Sequence, residues 1–484
     1  MTIEFVDQTV RDGQQSLWGM RMRAGHMLPI ADQIDQAGYS VVDLTGSNIF
    51  PVTVKEFREN PYEALDLMTA ALPRSVLRAG RRPNSMGFHL QPAVVVDLFA
   101  KTLVDHGISS FWIFDCLFNL EQMERFASTV GRLGAEVVPT ISYSLSEVHT
   151  DEFFVGVARA MASWPHVDAI QLADESGSLT PERAATLIPK LVDAAGGLPV
   201  ELHCHNTTGL APLNYLVGAG AGIQRLHTAS RPLANGPSLP SIEQTLINLR
   251  RSGYSDTIDD ERVADIAEYF TELVDRRGFP SGTPVEFDAR VYDHQLPGGM
   301  TGTLKKQLAS YGMSDRFDEI LEEVAVVRRE LGYPVMATPF SQLIGIQSVL
   351  NLVGPERYGI LTDEVVSYAL GHYGTPPAPI DPEVMQRVLD SPRAKELRDW
   401  TLEEPSLSDL RRAYGTDLSD EELVLAIMVP ESELLPMYAA GPVARDLSGS
   451  SHPLVERVRR LVVSTSLGSL SVATPDFELR LARA

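Results

Sequence analysis

The sequence predicts an α/β fold, a TIM (β/α)8 barrel over residues 1–285 followed by a mainly helical domain over residues 286–430 and a C-terminal extension over residues 431–484. Three observations predict it. Eight short apolar runs alternate with segments of helical period. No Gly-x-Gly-x-x-Gly turn follows any of these runs, which favours a closed barrel over a doubly wound open sheet. From Val285 onward the strand-like runs give way to helical patterns separated by turns.

In chain order the runs are IEFVDQTV, YSVVDLTG, SVLRAG, SFWIFDC, AEVVPTISYS, DAIQLADES, VELHCHN and IQRLHTAS. Between two of them, PERAATLIPKLVDAAG has the 3.6-residue period of a helix, with Pro181 placed to open it and Gly196 to close it. Past the barrel, DARVYDHQLPGGMTGTLKKQLASYGMSDRFDEILEEVAVVRRELG reads as a turn and two helices, and TPFSQLIGIQSVLNLV as another. TPPAPIDPEV breaks that pattern, LSDEELVLAIMVP resumes it, and SLGSLSVATPDFELRLARA alternates like a hairpin.

The 484 residues carry a net charge of −23. Such a surface argues against nucleic-acid or anionic-membrane partners, so an anionic substrate needs locally placed arginines. Only Cys116 and Cys204 occur, no apolar stretch reaches the length of a membrane span, and no signal-peptide pattern opens the chain. A cytoplasmic protein is expected. Lysine is scarce, limited to Lys55, Lys101, Lys190, Lys305, Lys306 and Lys395.

Chemistry concentrates at the C-terminal tips of barrel strands. In HCH at 203–205, residues two apart on a strand share a face, so His203 and His205 converge while Cys204 faces away. The pair has the spacing of two metal ligands, although two buried structural histidines fit the short pattern equally well. DQTVRDGQQS places Asp12 as a third ligand and Arg11 and Gln15 toward a bound anion. Two histidines and one carboxylate leave coordination positions open, as a catalytic metal requires. Arg78 in SVLRAG is read as a tip residue holding a substrate carboxylate, with a structural ion pair as the alternative. Asp115 in FWIFDC is a comparable acid and a candidate catalytic group. Structural roles are expected for His149, His227 and Tyr143, and a loop-capping role for Asp174.

RDGQQS, LRAG, IFDC, DESG, HCHN and SRPLANGPSLPS, in that order, resemble the carboxyltransferase barrel of oxaloacetate decarboxylase alpha subunits, transcarboxylase and pyruvate carboxylase. These sit among the metal-dependent barrel lyases and condensing enzymes. DARVYDHQLPGGM, ATPFSQLIGIQSVLNL and YGTPPAPIDPEV extend the likeness to about residue 430. The resemblance implies a divalent metal (Zn, Mn, Co or Mg) on Asp12, His203 and His205, a 2-oxo acid against Gln15 and Arg78, and a homodimer. It also exposes departures. Where the biotin-linked branch carries a carbamylated lysine as fourth metal ligand, this chain has Ala173. Where that branch carries a proton-carrying threonine, it has Pro237, and a biotin-pocket tyrosine becomes Phe88. No lysine follows Lys395, so no covalently attached biotin is expected there.

The expected activity is therefore making or breaking a C–C bond beside the ketone of a 2-oxo acid of the pyruvate or oxaloacetate type, through a metal-stabilised enolate and without biotin. Decarboxylase, lyase and aldol-type reactions all fit. Two rivals stand beside it: a biotin-dependent carboxyltransferase component served by a separate biotin carrier protein, and a non-catalytic scaffold.

Overall fold

The computed structural model describes residues 1–86, 89–310, 312–449, 469–474 and 477–482. Phe88 lies outside them. Eight parallel strands close into a barrel: β1 (Glu4–Asp7), β2 (Val41–Gly46), β3 (Val76–Arg81), β4 (Ser110–Ile113), β5 (Glu136–Ser142), β6 (Ile170–Asp174), β7 (Val200–Cys204) and β8 (Arg225–Thr228). Each strand pairs with its successor, and β8 returns to β1 in the register Glu4↔Arg225, Phe5↔Leu226, Val6↔His227.

The alternation of each strand sets what faces the axis. On β7, Leu202 and Cys204 pack outward beneath helices, while Glu201 and His203 point inward. The outer layer is made of amphipathic helices whose first turns are capped by side chains, as with Thr150, Thr180 and Ser241. Helix Pro181–Ala194 begins at Pro181, and Gly196 follows it with a φ of +64°, as the sequence predicts. Its buried face, Leu187, Ile188 and Leu191, joins the apolar shell around the barrel.

Beyond helix Asp260–Arg277 the chain becomes helical, with Gly298–Ser310, Phe317–Glu330 and Phe340–Val353 as its longest elements. This region docks on the barrel through polar side chains. Gln295 bonds the backbone of Leu145 through both ends of its amide, and Arg328 donates to Ser144 Oγ at 2.7 Å. Leu296, Ile320, Val324 and Ile344 supply the packing. Strands Ser469–Thr474 and Phe477–Ala482 pair antiparallel, the hairpin that the alternating tail predicts. Among the described residues no helix is long and apolar enough to cross a membrane.

Candidate metal and substrate site

The chain leaves β1 at Asp7, winds through one wide turn at Thr9–Gly13 and starts helix Gln14–Trp18. A Cβ on Gly13 would come within 2.9 Å of the Leu233 carbonyl, so glycine lets this turn press against the loop after β8. The turn carries Asp12 over the barrel mouth, where it meets the inward residues of β7. One ligand atom from each of Asp12, His203 and His205 lies within 4.8 Å of the other two. His205 Nε2 stands 3.2 Å from Asp12 Oδ1 and 3.2 Å from His203 Nε2, and His203 Nε2 is 3.7 Å from Asp12 Oδ2.

A chain of hydrogen bonds fixes the protonation of His203. Burial opposes the charge on Glu201, but Arg78 and His227 outweigh it and hold its pKa well below the usual carboxylate range. As an ionised carboxylate it only accepts, so His227 Nε2 carries a proton and donates across 3.0 Å. Burial keeps His227 neutral, and the single lone pair of its Nδ1 is shared between the Gln8 amide at 2.9 Å and His203 Nδ1–H at 3.2 Å. His203 Nε2 is left with a bare lone pair facing Asp12 and His205.

Three electron-rich atoms this close need a cation among them. In the protein alone a proton on His205 serves: burial lowers its pKa, yet the Asp12 carboxylate reverses this and raises it. Asp12 is in turn held well below its ordinary value, burial being overcome first by His205 and then by Arg11. Nitrogen and carboxylate donors of this kind, with a locked tautomer behind one imidazole, fit a divalent metal.

These groups open into a cavity of about 690 Å³. Arg11 lies on its wall, donating to Asp12 Oδ2 (2.9 Å), Asp43 Oδ2 (2.9 Å) and Gln8 Oε1 (2.7 Å), and stacks 5.0 Å from the Trp112 ring. Gln15 is half-buried on the same wall. Gly80 gives the Trp112 ring its place, since a Cβ there would lie 2.3 Å from it.

Two expected site residues fall elsewhere. Arg78 is not at a tip, because β3 runs on to Arg81. It is fully buried on the N-terminal side, donating to Glu201 (2.6 and 3.1 Å), Glu136 (3.0 Å) and Ser110 (2.8 Å). With Arg225 bridging both acids and Glu4, it forms the ionic floor of the barrel. Its charge is matched there, and Arg82 is the β3-edge arginine on the cavity wall. Asp115 accepts from the backbone N–H groups of Leu117 (2.8 Å) and Asn119 (3.1 Å), which makes it a turn-forming residue off the cavity wall.

Asp174 caps its loop as expected, accepting from Ser178 and Leu179 N–H, and Cys204 faces away from the histidines to donate to it. Ala173 lines the cavity, in register between Ser142 and His203, and Pro237 lines it too. His149 packs among Phe118, Phe153 and Phe154. Sequence reasoning missed Arg82, the Glu201–His227 relay and the contribution of the helical domain. Thr338 and Gln342 from that domain close the cavity, and the Thr338 carbonyl accepts from Arg82 at 3.5 Å. The double arginine at 81–82 and the TPFSQL segment were the available signals.

The HMGL-like family model matches residues 2–269, and the conserved carboxylase domain matches residues 291–434. The chain belongs to the carboxyltransferase family. Among its family relatives, a pyruvate carboxylase subunit of Methanocaldococcus jannaschii is 37% identical over 390 residues, covering 80% of this chain and 68% of that one. The 2-oxoglutarate carboxylase large subunit of Hydrogenobacter thermophilus is 31% identical, over 99% and 74% of the two chains. Among solved family structures, the carboxyl transferase domain of Rhizobium etli pyruvate carboxylase with pyruvate and biocytin superposes with a TM-score of 0.82. That match has 25% identity and covers 92% of this chain and 78% of that one. Membership makes the chain an enzyme of the carboxyltransferase kind.

Proposed function

We propose that the chain is a metal-dependent carboxyltransferase acting on a small 2-oxo acid, with the carboxyl group exchanged through biotin on a separate carrier protein. The relatives named as pyruvate and 2-oxoglutarate carboxylases support this over the biotin-free activity expected from the sequence. The observation that carries it is the convergence of Asp12, His203 and His205 on a cavity that Arg82 also faces.

Asp12, His203 and His205 would hold the divalent cation, whose chemistry when bound is to polarise the ketone and steady enolate charge beside it. Arg82 pairs with the substrate carboxylate, a contact that guanidinium geometry makes directional. Arg11, fixed by Asp12, Asp43 and the Trp112 face, presents positive charge that need not reorganise during the reaction. Gln15 supplies an amide at the same wall, and Ala337, Thr338, Ser341 and Gln342 form part of the cavity lining. The cavity has room for a 2-oxo acid and a second ring beside it. A homodimer in the cytoplasm completes this reading.

One observation favours the biotin-free alternative. Ala173 and Pro237 both face the cavity, so a methyl and a pyrrolidine stand where biotin-linked relatives are expected to carry an amine and a hydroxyl. Oxaloacetate decarboxylation separates the readings. Turnover that requires a biotinylated carrier or free biotin and is lost with avidin supports the main one. Avidin-insensitive turnover without biotin establishes the alternative, and a folded protein with neither turnover nor bound metal leaves only a scaffold.

A further inference from the structure

Asp12 and Glu175 are the two acids on the cavity wall among the described residues. Gln171, Ala173 and Glu175, alternate residues along β6 and its tip, all face the cavity, while Asp174 between them turns outward into its loop. Ser142 Oγ donates to Glu175 Oε1 at 3.0 Å, holding the side chain above the neighbouring strand. Glu175 Oε2 is shielded from solvent and has no hydrogen-bond partner. No arginine or lysine pairs with this carboxylate among the described residues. Arg11 is already matched by two carboxylates, and Arg82 reaches toward Thr338. His205 is the nearest positive partner when it is protonated, and a shielded oxygen with no hydrogen bond is completed by a proton or a cation.

The metal trio needs the complementary charge. Asp12 contributes one negative charge to a divalent ion and the two imidazoles contribute none, so one further anion neutralises the site. We propose that Glu175 supplies the second carboxylate to the cation held by Asp12, His203 and His205. It stands outside the trio's 4.8 Å cluster on the wall of the same cavity, so its side chain must turn toward the ion to bind it. The site would then be a two-histidine, two-carboxylate centre built without any lysine. This rests on the metal reading of the proposed function.

The test uses the full chain and Co2+ alone, titrated against a chelator, with the visible d–d spectrum recorded alongside affinity. Glu175→Gln keeps shape and removes charge, and circular dichroism confirms its fold. The expected result is one Co2+ per wild-type chain, with affinity reduced ~10–100-fold and the d–d bands shifted in Glu175→Gln. Wild-type affinity and an unchanged spectrum in Glu175→Gln, with binding lost in His203→Ala, would overturn the role of Glu175 and leave the metal reading intact. A folded wild-type protein that binds no Co2+ would overturn both.

Discussion

Replacing Arg78 by methionine distinguishes a floor residue from a substrate anchor. The side chain makes four hydrogen bonds of 2.6–3.1 Å, three of them to Glu201 and Glu136, and is inaccessible to solvent. Removing one partner of a buried ion pair destabilises by about 3–5 kcal/mol, because the other charge stays buried. Arg225 still bridges Glu201 and Glu136, and His227 still donates to Glu201, so the lower end of that range applies. At about 2–3 °C per kcal/mol for a large domain, the melting temperature should fall by ~6–9 °C. Differential scanning calorimetry of wild type and Arg78→Met measures this, and oxaloacetate kinetics below the transition should show KM within about threefold of wild type. An unchanged melting temperature together with a KM raised ~100-fold would refute the ionic-floor assignment and restore Arg78 as the carboxylate anchor.

Arg82→Gln should behave oppositely, raising KM for the 2-oxo acid ~10–100-fold through loss of a charge-assisted hydrogen bond, with little change in thermal stability. His227→Phe removes the acceptor for His203 Nδ1–H and frees the tautomer, so metal affinity measured by chelator competition should weaken by ~10–100-fold. Asp7 lies outside this site, its pKa raised to about 7 by burial, with Thr9 its hydrogen-bonding partner. The unfolded chain releases the Asp7 proton near the ordinary value of 3.8, well before the folded one, so stability falls as pH rises from there to about 7 and then levels. Asp7→Asn should therefore stabilise by more at pH 8 than at pH 5, by on the order of 2 kcal/mol in urea unfolding. Equal gains at the two pH values would contradict this.

Much of the barrel was legible because strand alternation and helix period are local signals. Each of the eight apolar runs became a strand, and His203 and His205 share a face as the period of two requires. Register was less legible. SVLRAG reads as ending at Gly80, yet β3 continues through Arg81, which moves Arg78 from the mouth to the floor. Asp115 illustrates a second blind spot, since an acid at a strand end serves catalysis or a turn according to which N–H groups lie near it, and sequence spacing does not say. The cavity contacts of Thr338 and the Gln295 clasp join residues far apart in the chain, and no local pattern encodes such pairings.

The floor and the mouth of the barrel are under different physical constraints, and this bears on how far the chain's chemistry can depart from that of its relatives. Arg78, Glu136, Glu201 and Arg225 are mutually compensating charges in a dry interior, so altering one strands another, and Glu201 additionally sets the His203 tautomer through His227. Residues 173, 175 and 237 border the cavity instead, where a side chain can change without stranding a member of that ionic floor. If Glu175 joins the metal site as proposed, it changes the charge around the cation while the Glu201–His227 pair beneath His203 stays as it is. The reaction type can thus diverge at the mouth while the device that orients His203 stays fixed beneath it.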